Sequence, residues 1–541
     1  LVPSRRSFLK QVSALGVLSS ASAALARQTM QIPAHAASTS QQNTYDASAA
    51  HPMLHSLELT PFVDALPLPQ IIHPVTGPHA RPFRIEMREI HAKVHRDVPA
   101  TRMWSYGPTA LAPLIETRTH QTTQIEWVNR LPTQHFLPID HSLHGCGRDI
   151  PDVRACVHLH GGRTPSHSDG FPDDWFVPGK SRICTYPLLQ NATALWFHDH
   201  AMGINRLNIY AGLFGMVLLR DDQEDALHLP SGKYEVPLIL YDRNFTTDGQ
   251  LLYLTSGDPD HPWVPEFDGD AILINGKIRP FFEVEPRLYR FRVLNTANSR
   301  FFILSLTGHL PFHQIGGDQG LLPAPAKLTS LNLAPAERAD LLIDFSASAG
   351  ARIHMLNAAQ QVLEFRVAPH ASKPSPASPQ ALPLLPPVER IPESSATTTR
   401  SITLNDYPNQ QGNTMLMLLN RTRWHEPVTE TPKLNTTEIW EFINLTEDTH
   451  PMHLHMVRFQ LLDRRLFDVF AYRNNKGTHF LSAAIPPEPN EMGWKDVIQC
   501  PPGLITRIIV PFEGYPGKYL YHCHILEHEA NDMMRPFTVL A

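Results

Sequence analysis

The 541-residue sequence predicts an all-β protein made of several sandwich or barrel domains. Three observations carry this. Short runs of alternating or β-branched residues, such as 124–128, 289–294, 439–443 and 507–510, recur from Leu57 onward between Pro and Gly. Fifty prolines against 28 glycines suit many turns and few long helices, because proline breaks helix interiors and central strands alike. One strand pattern occurs three times, as Ile125-Glu-Trp-Val-Asn129, Tyr289-Arg-Phe-Arg-Val-Leu-Asn295 and Ile439-Trp-Glu-Phe-Ile-Asn444, which makes the chain an internal repeat.

Residues 1–26 read as a twin-arginine export signal. Ser4-Arg5-Arg6-Ser7-Phe8-Leu9-Lys10 precedes a weakly apolar run of small residues and an Ala24-Leu25-Ala26 cleavage site, with Ala36 as a second candidate. That run is too short and too serine-rich to span a bilayer, and no later segment qualifies. The expectation is export of a folded protein to the periplasm or the extracellular space. Residues 27–56 are polar and read as a mobile leader. The repeats then place domains at 57–222, 230–368 and 401–541, with a polar joint at 221–229. The linker at 369–400 carries eight prolines, enough to lead the chain past the second domain and bring the third back against the first.

Composition narrows the function. An apolar content of 42% and a charged content of 18% belong to a globular chain, and a net charge of −6 gives no reason to expect nucleic acid or an acidic membrane as partner. Thirty histidines are unusual. Of the five cysteines, Cys146, Cys156, Cys184 and Cys500 allow three disulfide pairings after export, and free buried thiols stand equally open.

The fifth, Cys523, lies in Tyr521-His-Cys-His-Ile-Leu-Glu-His528, with Met533 five residues further on. One Cys and two His with a weak, distant Met form the ligand set of a blue-copper site, so one His must arrive from elsewhere. A structural zinc site would need four closed ligands at paired spacings, and no second Cys is near. In a strand His522 and His524 point away from Cys523, which puts metal on the sulfur one residue from metal on its neighbours. His158-Leu-His160 follows the first copy of the repeated strand and His453-Leu-His455 the third. Leu195-Trp-Phe-His-Asp-His200 matches Leu520-Tyr-His-Cys-His524, with Asp199 in the place of Cys523, and the second domain has no such pair. Each His-x-His is a two-toothed ligand, and four of them supply imidazoles for three metal ions. Three coppers wired through Cys523 to a fourth suit one task, collecting electrons singly and delivering four to dioxygen.

On Val157-His-Leu-His-Gly-Gly162, Leu195-Trp-Phe-His-Asp-His-Ala-Met-Gly203, Thr449-His-Pro-Met-His-Leu-His455 and His522-Cys-His-Ile-Leu-Glu-His528, the chain resembles a bacterial multicopper oxidase of the laccase and bilirubin-oxidase group, above all the spore-coat laccase type. Pro335-Ala-Glu-Arg338 and Gly493-Trp-Lys-Asp496 share the likeness, which runs from about Leu57 to the end. The resemblance implies three cupredoxin-like Greek-key β-barrel domains and four copper ions. It allots His450, Cys523, His528 and axial Met533 to the blue (type 1) copper, with Met533 preferred over Met534 by its spacing from the Cys. It allots His158 and His453 to the type 2 copper, and His160, His198, His200, His455, His522 and His524 to the type 3 pair. Asp169 and Glu529 match acidic positions that the family places near the trinuclear site for proton delivery. Read from the residues alone, Asp169-Gly170 is a turn signal, and an acid beside a ligand serves equally to orient an imidazole. The resembling laccase has a disulfide in its second domain, where this chain has Asp268 and a shortened loop near 357–363.

The implied activity is that of a laccase. A phenol, aminophenol or bilirubin-like donor gives single electrons at the exposed edge of the type 1 site, at His528, and dioxygen becomes water, with a monomer expected. The alternative is a periplasmic cuprous-ion oxidase. Relatives of that kind carry Met-rich inserts, because thioethers bind Cu(I), whereas the 14 methionines here are scattered, with Met415-Leu-Met417 and Met533-Met534 the close pairs. A copper-free cupredoxin scaffold would have lost ligands, and all twelve positions stand.

Overall fold

The computed structural model describes residues 52–77, 80–372, 385–409 and 414–541. The expected export signal, most of the leader and the middle of the linker lie outside them. Among the described residues the strands form six sheets, drawn two by two from 71–220, 235–367 and 396–539. The protein is all-β, with three cupredoxin-like domains.

The repeated strand has the same place in each domain. Thr123–Arg130 pairs in parallel with Phe83–Ala92 and antiparallel with Ser181–Tyr186. Leu288–Asn295 does so with Glu235–Phe245 and Arg338–Asp344, and Thr437–Asn444 with Ala396–Pro408 and Leu504–Pro511. Its alternating apolar side chains, Trp127, Phe291 and Trp440 among them, enter the three main hydrophobic cores. This is the burial that period-2 patterning selects, since a one-residue slip would turn each aromatic to the other face. The longest described α-helix, Asn205–Ala211, has seven residues, in keeping with the proline count.

Three boundaries differ from the sequence reading. Residues 52–56, read as mobile leader, are tied down: Leu54 N–H donates to Phe245 O at 2.8 Å, and Ser56 N–H to Asp270 Oδ2 at 2.6 Å. The linker is shorter than 369–400, because the strand Ala396–Pro408 begins inside it. Its end is also anchored, with Leu385 in a cluster that includes Leu288, Ile315 and Leu342 of the second domain, and Ile391 N–H donating to Gln460 Oε1 of the third at 3.0 Å. The polar joint at 221–229 contains the helix Asp222–Ala226, capped by the Asp221 carboxylate accepting from Glu224 N–H. All five cysteines are free and buried.

That helix drives Glu224 into a buried ion cluster between the first two domains. Its carboxylate meets Arg290 at 2.9 Å and Arg292 at 3.0 Å, Arg292 also meets Glu235 at 2.8 Å, and Arg290 meets Asp340. Burial alone would raise the carboxyl of Glu235, but Arg292 and Arg290 outweigh it and hold the group down at about 2. Removing one partner from such a buried cluster strands a charge. Glu224→Gln is therefore expected to cost about 3–5 kcal/mol by denaturant unfolding, and a loss under about 1 kcal/mol would refute a stabilising role. The depressed Glu235 contributes stability that is fully present above the ordinary carboxylate range. That share is lost as pH falls toward about 2, which acid unfolding of Glu235→Gln against the parent measures.

Candidate metal centre

The first and third domains each offer two strands to a common buried face. Val157–His160 runs antiparallel to Thr193–Asp199 with His158 opposite His198, and His450–Leu454 runs antiparallel to Gly517–Cys523 with His453 opposite His522. The two halves meet face to face. The rings of His158 and His455 stack at 3.8 Å, and those of His160 and His453 at 3.7 Å. Three buried triads result, each with one ligand atom per residue and all atoms within 4.8 Å of one another: His158, His160 and His453; His160, His198 and His524; His200, His455 and His522. They bring together all eight imidazoles expected of the trinuclear site, and each of the three mixes residues more than 290 positions apart.

Their electrostatics suit a metal. Burial pulls His198 and His200 down to about 3, and burial followed by mutual repulsion holds His158, His453, His455 and His524 well below their ordinary range, so these rings are neutral. Metal ligation requires the neutral form. Nε2 of His158, His198 and His453 and both ring nitrogens of His524 are buried with no hydrogen-bond partner, an arrangement costly for anything but ligation.

A separate triad holds the sulfur. Cys523 Sγ lies 3.5 Å from His450 Nδ1 and 3.7 Å from His528 Nδ1, and all three residues are buried. Thr446 Oγ1 at 2.7 Å orients His450 from behind through Nε2, and Ile525 N–H donates to the sulfur at 3.4 Å. Burial pushes the thiol well above its usual range, so metal binding must displace its proton. Met533 belongs to the same hydrophobic cluster as Cys523, whereas Met534 packs with Met202, Trp424 and Leu520. Thiolate, imidazole and thioether together form a donor set that suits copper. One expectation fails here. His528 does not form an exposed edge: it is 0% exposed, because the short helix Leu526–Ala530 turns it inward and Pro265 of the second domain faces the ring.

Asp169 and Glu529 both touch the imidazoles. Asp169 Oδ2 lies 2.8 Å from His455 Nδ1, and its backbone carbonyl accepts from His158 Nδ1 at 2.6 Å. Burial raises the Asp169 carboxyl well above the carboxylate range. Glu529 Oε1 accepts from Asn205 Nδ2 at 2.5 Å and lies 3.4 Å from His200 Nε2, while Oε2 lies 3.2 Å from His522 Nδ1. Burial would raise Glu529, but the adjoining His522 ring and the Asn205 amide, both set against the carboxylate, help hold it below its usual value. Asp199, in the place of Cys523, ties nearby segments together: it accepts from the backbone N–H groups of Cys156 at 2.9 Å and Ala201 at 3.1 Å, and from the side-chain Nδ2 of Asn208 at 2.9 Å. Asn205, Thr446 and the carboxylate of Asp496, 3.2 Å from His160 Nε2, went unrecognised in the sequence, since none sits in a ligand spacing. The only signal was the Gly493-Trp-Lys-Asp496 likeness.

Two multicopper oxidase family models match the chain, over residues 151–224 and 394–541. A laccase of Bacillus subtilis (strain 168) is 44% identical over 89% of this chain and 99% of its own length, and a laccase of Bacillus stratosphericus is 40% identical over 90% and 100%. The crystal structure of McoA multicopper oxidase from the hyperthermophile Aquifex aeolicus superposes with a TM-score of 0.72 at 27% identity, covering 89% of this chain and all of that one. The chain belongs to the multicopper oxidase family. It is accordingly a laccase-like, copper-dependent oxidoreductase with dioxygen as acceptor.

The packing of Met533 generates a test. Met533→Leu is expected to raise the reduction potential of the blue site in a redox titration, because the axial ligand tunes it. An unchanged potential would pass the axial role to Met534 or to no residue.

Proposed function

We propose that the protein takes single electrons from a small aromatic donor, a phenol, an aminophenol or a bilirubin-like pigment, and delivers four of them to one dioxygen molecule. The observation that carries this reading is the covalent continuity between the two centres: Cys523 faces one triad while its neighbours His522 and His524 belong to two others. His450, Cys523, His528 and Met533 would hold the type 1 copper, His158 and His453 the type 2, and His160, His198, His200, His455, His522 and His524 the type 3 pair. Copper, when bound, supplies the one-electron couples and the place where dioxygen is reduced. Every ligand comes from one chain, so a single copy suffices.

The chain's own residues do the rest. His528 is buried, and its ring bonds to the backbone of half-buried Pro265, next to the exposed Glu266. A donor docked there is one residue from a type 1 ligand without entering the core. Asp169, with its raised carboxyl and Oδ1 free of any hydrogen bond, is suited to hold a proton beside His455 and His158. Glu529, oriented by Asn205, offers an ionised acceptor beside His200 and His522. Export by the twin-arginine route rests on Ser4-Arg5-Arg6-Ser7-Phe8-Leu9-Lys10 alone.

Oxygen uptake with a phenol, bilirubin and Cu(I) side by side tests the donor class. Turnover with Cu(I) alone would shift the reading to a cuprous oxidase. Asp169→Asn and Glu529→Gln are each expected to lower oxygen uptake by about 10²–10⁴-fold while the donor still bleaches the blue absorption near roughly 600 nm. Full activity in both variants would remove the acids from proton delivery. Replacing Arg5 and Arg6 by Lys is expected to leave the folded protein in the cytoplasm on cell fractionation, and undiminished export would defeat the localisation.

A further inference from the structure

Five imidazoles of the trinuclear cluster are anchored through Nδ1. His158 meets Asp169 O at 2.6 Å, His198 meets Asp199 O at 2.9 Å, His453 meets Asp496 O at 2.7 Å, His455 meets Asp169 Oδ2 at 2.8 Å and His522 meets Cys523 O at 3.0 Å. Each therefore presents Nε2 inward. His160 is reversed. Its Nε2 faces Asp496 Oδ1 at 3.2 Å, and its buried Nδ1 has no partner. It also stands in two triads, one with His158 and His453 and one with His198 and His524, so the nitrogen it offers bears on both. Which nitrogen of a histidine binds metal is set by the hydrogen bond that the other makes.

Asp496 is in turn fixed by the second domain, which supplies no ligand. Arg338 clamps the carboxylate with two parallel bonds, Nη1 to Oδ1 at 2.7 Å and Nη2 to Oδ2 at 2.5 Å, and Gln319 Nε2 donates to Oδ2 at 2.5 Å. The guanidinium itself is held by backbone carbonyls, Nη2 on Asp318 O at 2.8 Å and Nε on Ala194 O at 3.0 Å. Gln319 and Gln190 both donate to Gly161 O, at 2.8 and 2.7 Å, which pins the residue after His160. Gly161 is required there. Its φ is +81°, and a Cβ would lie 2.5 Å from Asp496 Oδ2 and 2.7 Å from Arg338 Nη2.

We propose that Asp496, locked by Arg338 and Gln319, is the positioning residue that makes His160 bind metal through Nδ1, so that the ligand-free second domain governs metal binding at the histidine cluster. This rests on the copper reading above. Outer-shell partners of metal-bound histidines fix tautomer and ring orientation, and their loss weakens metal binding by about 10–100-fold. An Asn at 496 sets its NH2 group against an Arg338 donor in either orientation, together with His160 in one and with Gln319 in the other, so it cannot keep the whole set of contacts.

The test compares copper-loaded parent, Asp496→Asn and Arg338→Lys by copper retention against graded chelator, the electron paramagnetic resonance spectrum, the blue absorption and the melting temperature of the metal-free protein. Arg338→Lys keeps the charge but loses the fork. The expected result is an unchanged blue absorption per chain with cluster copper released at about 10–100-fold lower chelator in Asp496→Asn, a smaller shift of the same sign in Arg338→Lys, and an altered non-blue copper signal in both. Parental retention and spectra in the variants would overturn the proposal. So would parallel loss of blue and cluster copper with a lowered melting temperature, which marks a purely structural role. If Asp496→Asn does not fold, Arg338→Lys decides by the same criteria. A parent without blue absorption would overturn the copper reading itself, and this proposal with it.

Discussion

The burial of eight imidazoles between the first and third domains is the constraint on which the rest of the structure depends. A histidine ring taken out of water must satisfy both nitrogens, and here the protein satisfies one nitrogen of His158, His160, His198 and His453 and leaves the other bare, while Nε2 of His455 and Nε2 of His522 face each other at 3.1 Å. Stacked pairs such as His158 with His455 and His160 with His453 exist only because strands from opposite ends of the chain lie face to face. Metal binding is thus coupled to the docking of the two domains, and ions held there would stabilise that docking by mass action.

The second domain makes the docking possible. Its ion cluster of Arg290, Arg292, Glu235 and Asp340 grips Glu224 at the end of the first domain, and Arg338 reaches Asp496 in the third. Lys495, next in chain to Asp496, is paired with Asp318 at 3.1 Å and Glu337 at 3.0 Å on the same side. Buried charges of this kind contribute geometry more dependably than net stability, because desolvation offsets most of their attraction. The segment that covers His528 also comes from this domain: Trp263 Nε1 donates to Glu527 O at 3.0 Å, and the Glu527 carboxylate accepts from Tyr253 Oη at 2.7 Å and Asn298 Nδ2 at 2.8 Å. The domain without ligands therefore touches both metal centres, one through Asp496 and the other through Glu527 and Pro265.

Much of the site was legible because its chemistry is written at short range. His-x-His on a strand points both rings one way whatever the rest of the fold does, and a Cys between two His separates its sulfur from them by the same alternation. The threefold strand pattern likewise survived folding, since Trp127, Phe291 and Trp440 needed only a pleated surface and a core. What escaped was set at long range. The burial of His528 comes from a five-residue helix and a cover more than 250 residues away, and the anchoring of residues 52–56 comes from Phe245 and Asp270. The joint read as a polar connection became a capped helix whose Glu224 is held by Arg290 and Arg292, more than 60 positions away, which no local pattern reveals.

By itself the sequence determined the strand periods, the identity of the candidate metal donors and their division between a sulfur triad and a histidine cluster, for each depends on residue type and on spacing within one strand. Only the tertiary structure decided which nitrogen each ring presents, which methionine shares a core with Cys523, and how far His528 lies from solvent. Those properties depend on partners hundreds of positions apart, and hydrogen bonds between such partners come into being only when the three domains close on one another.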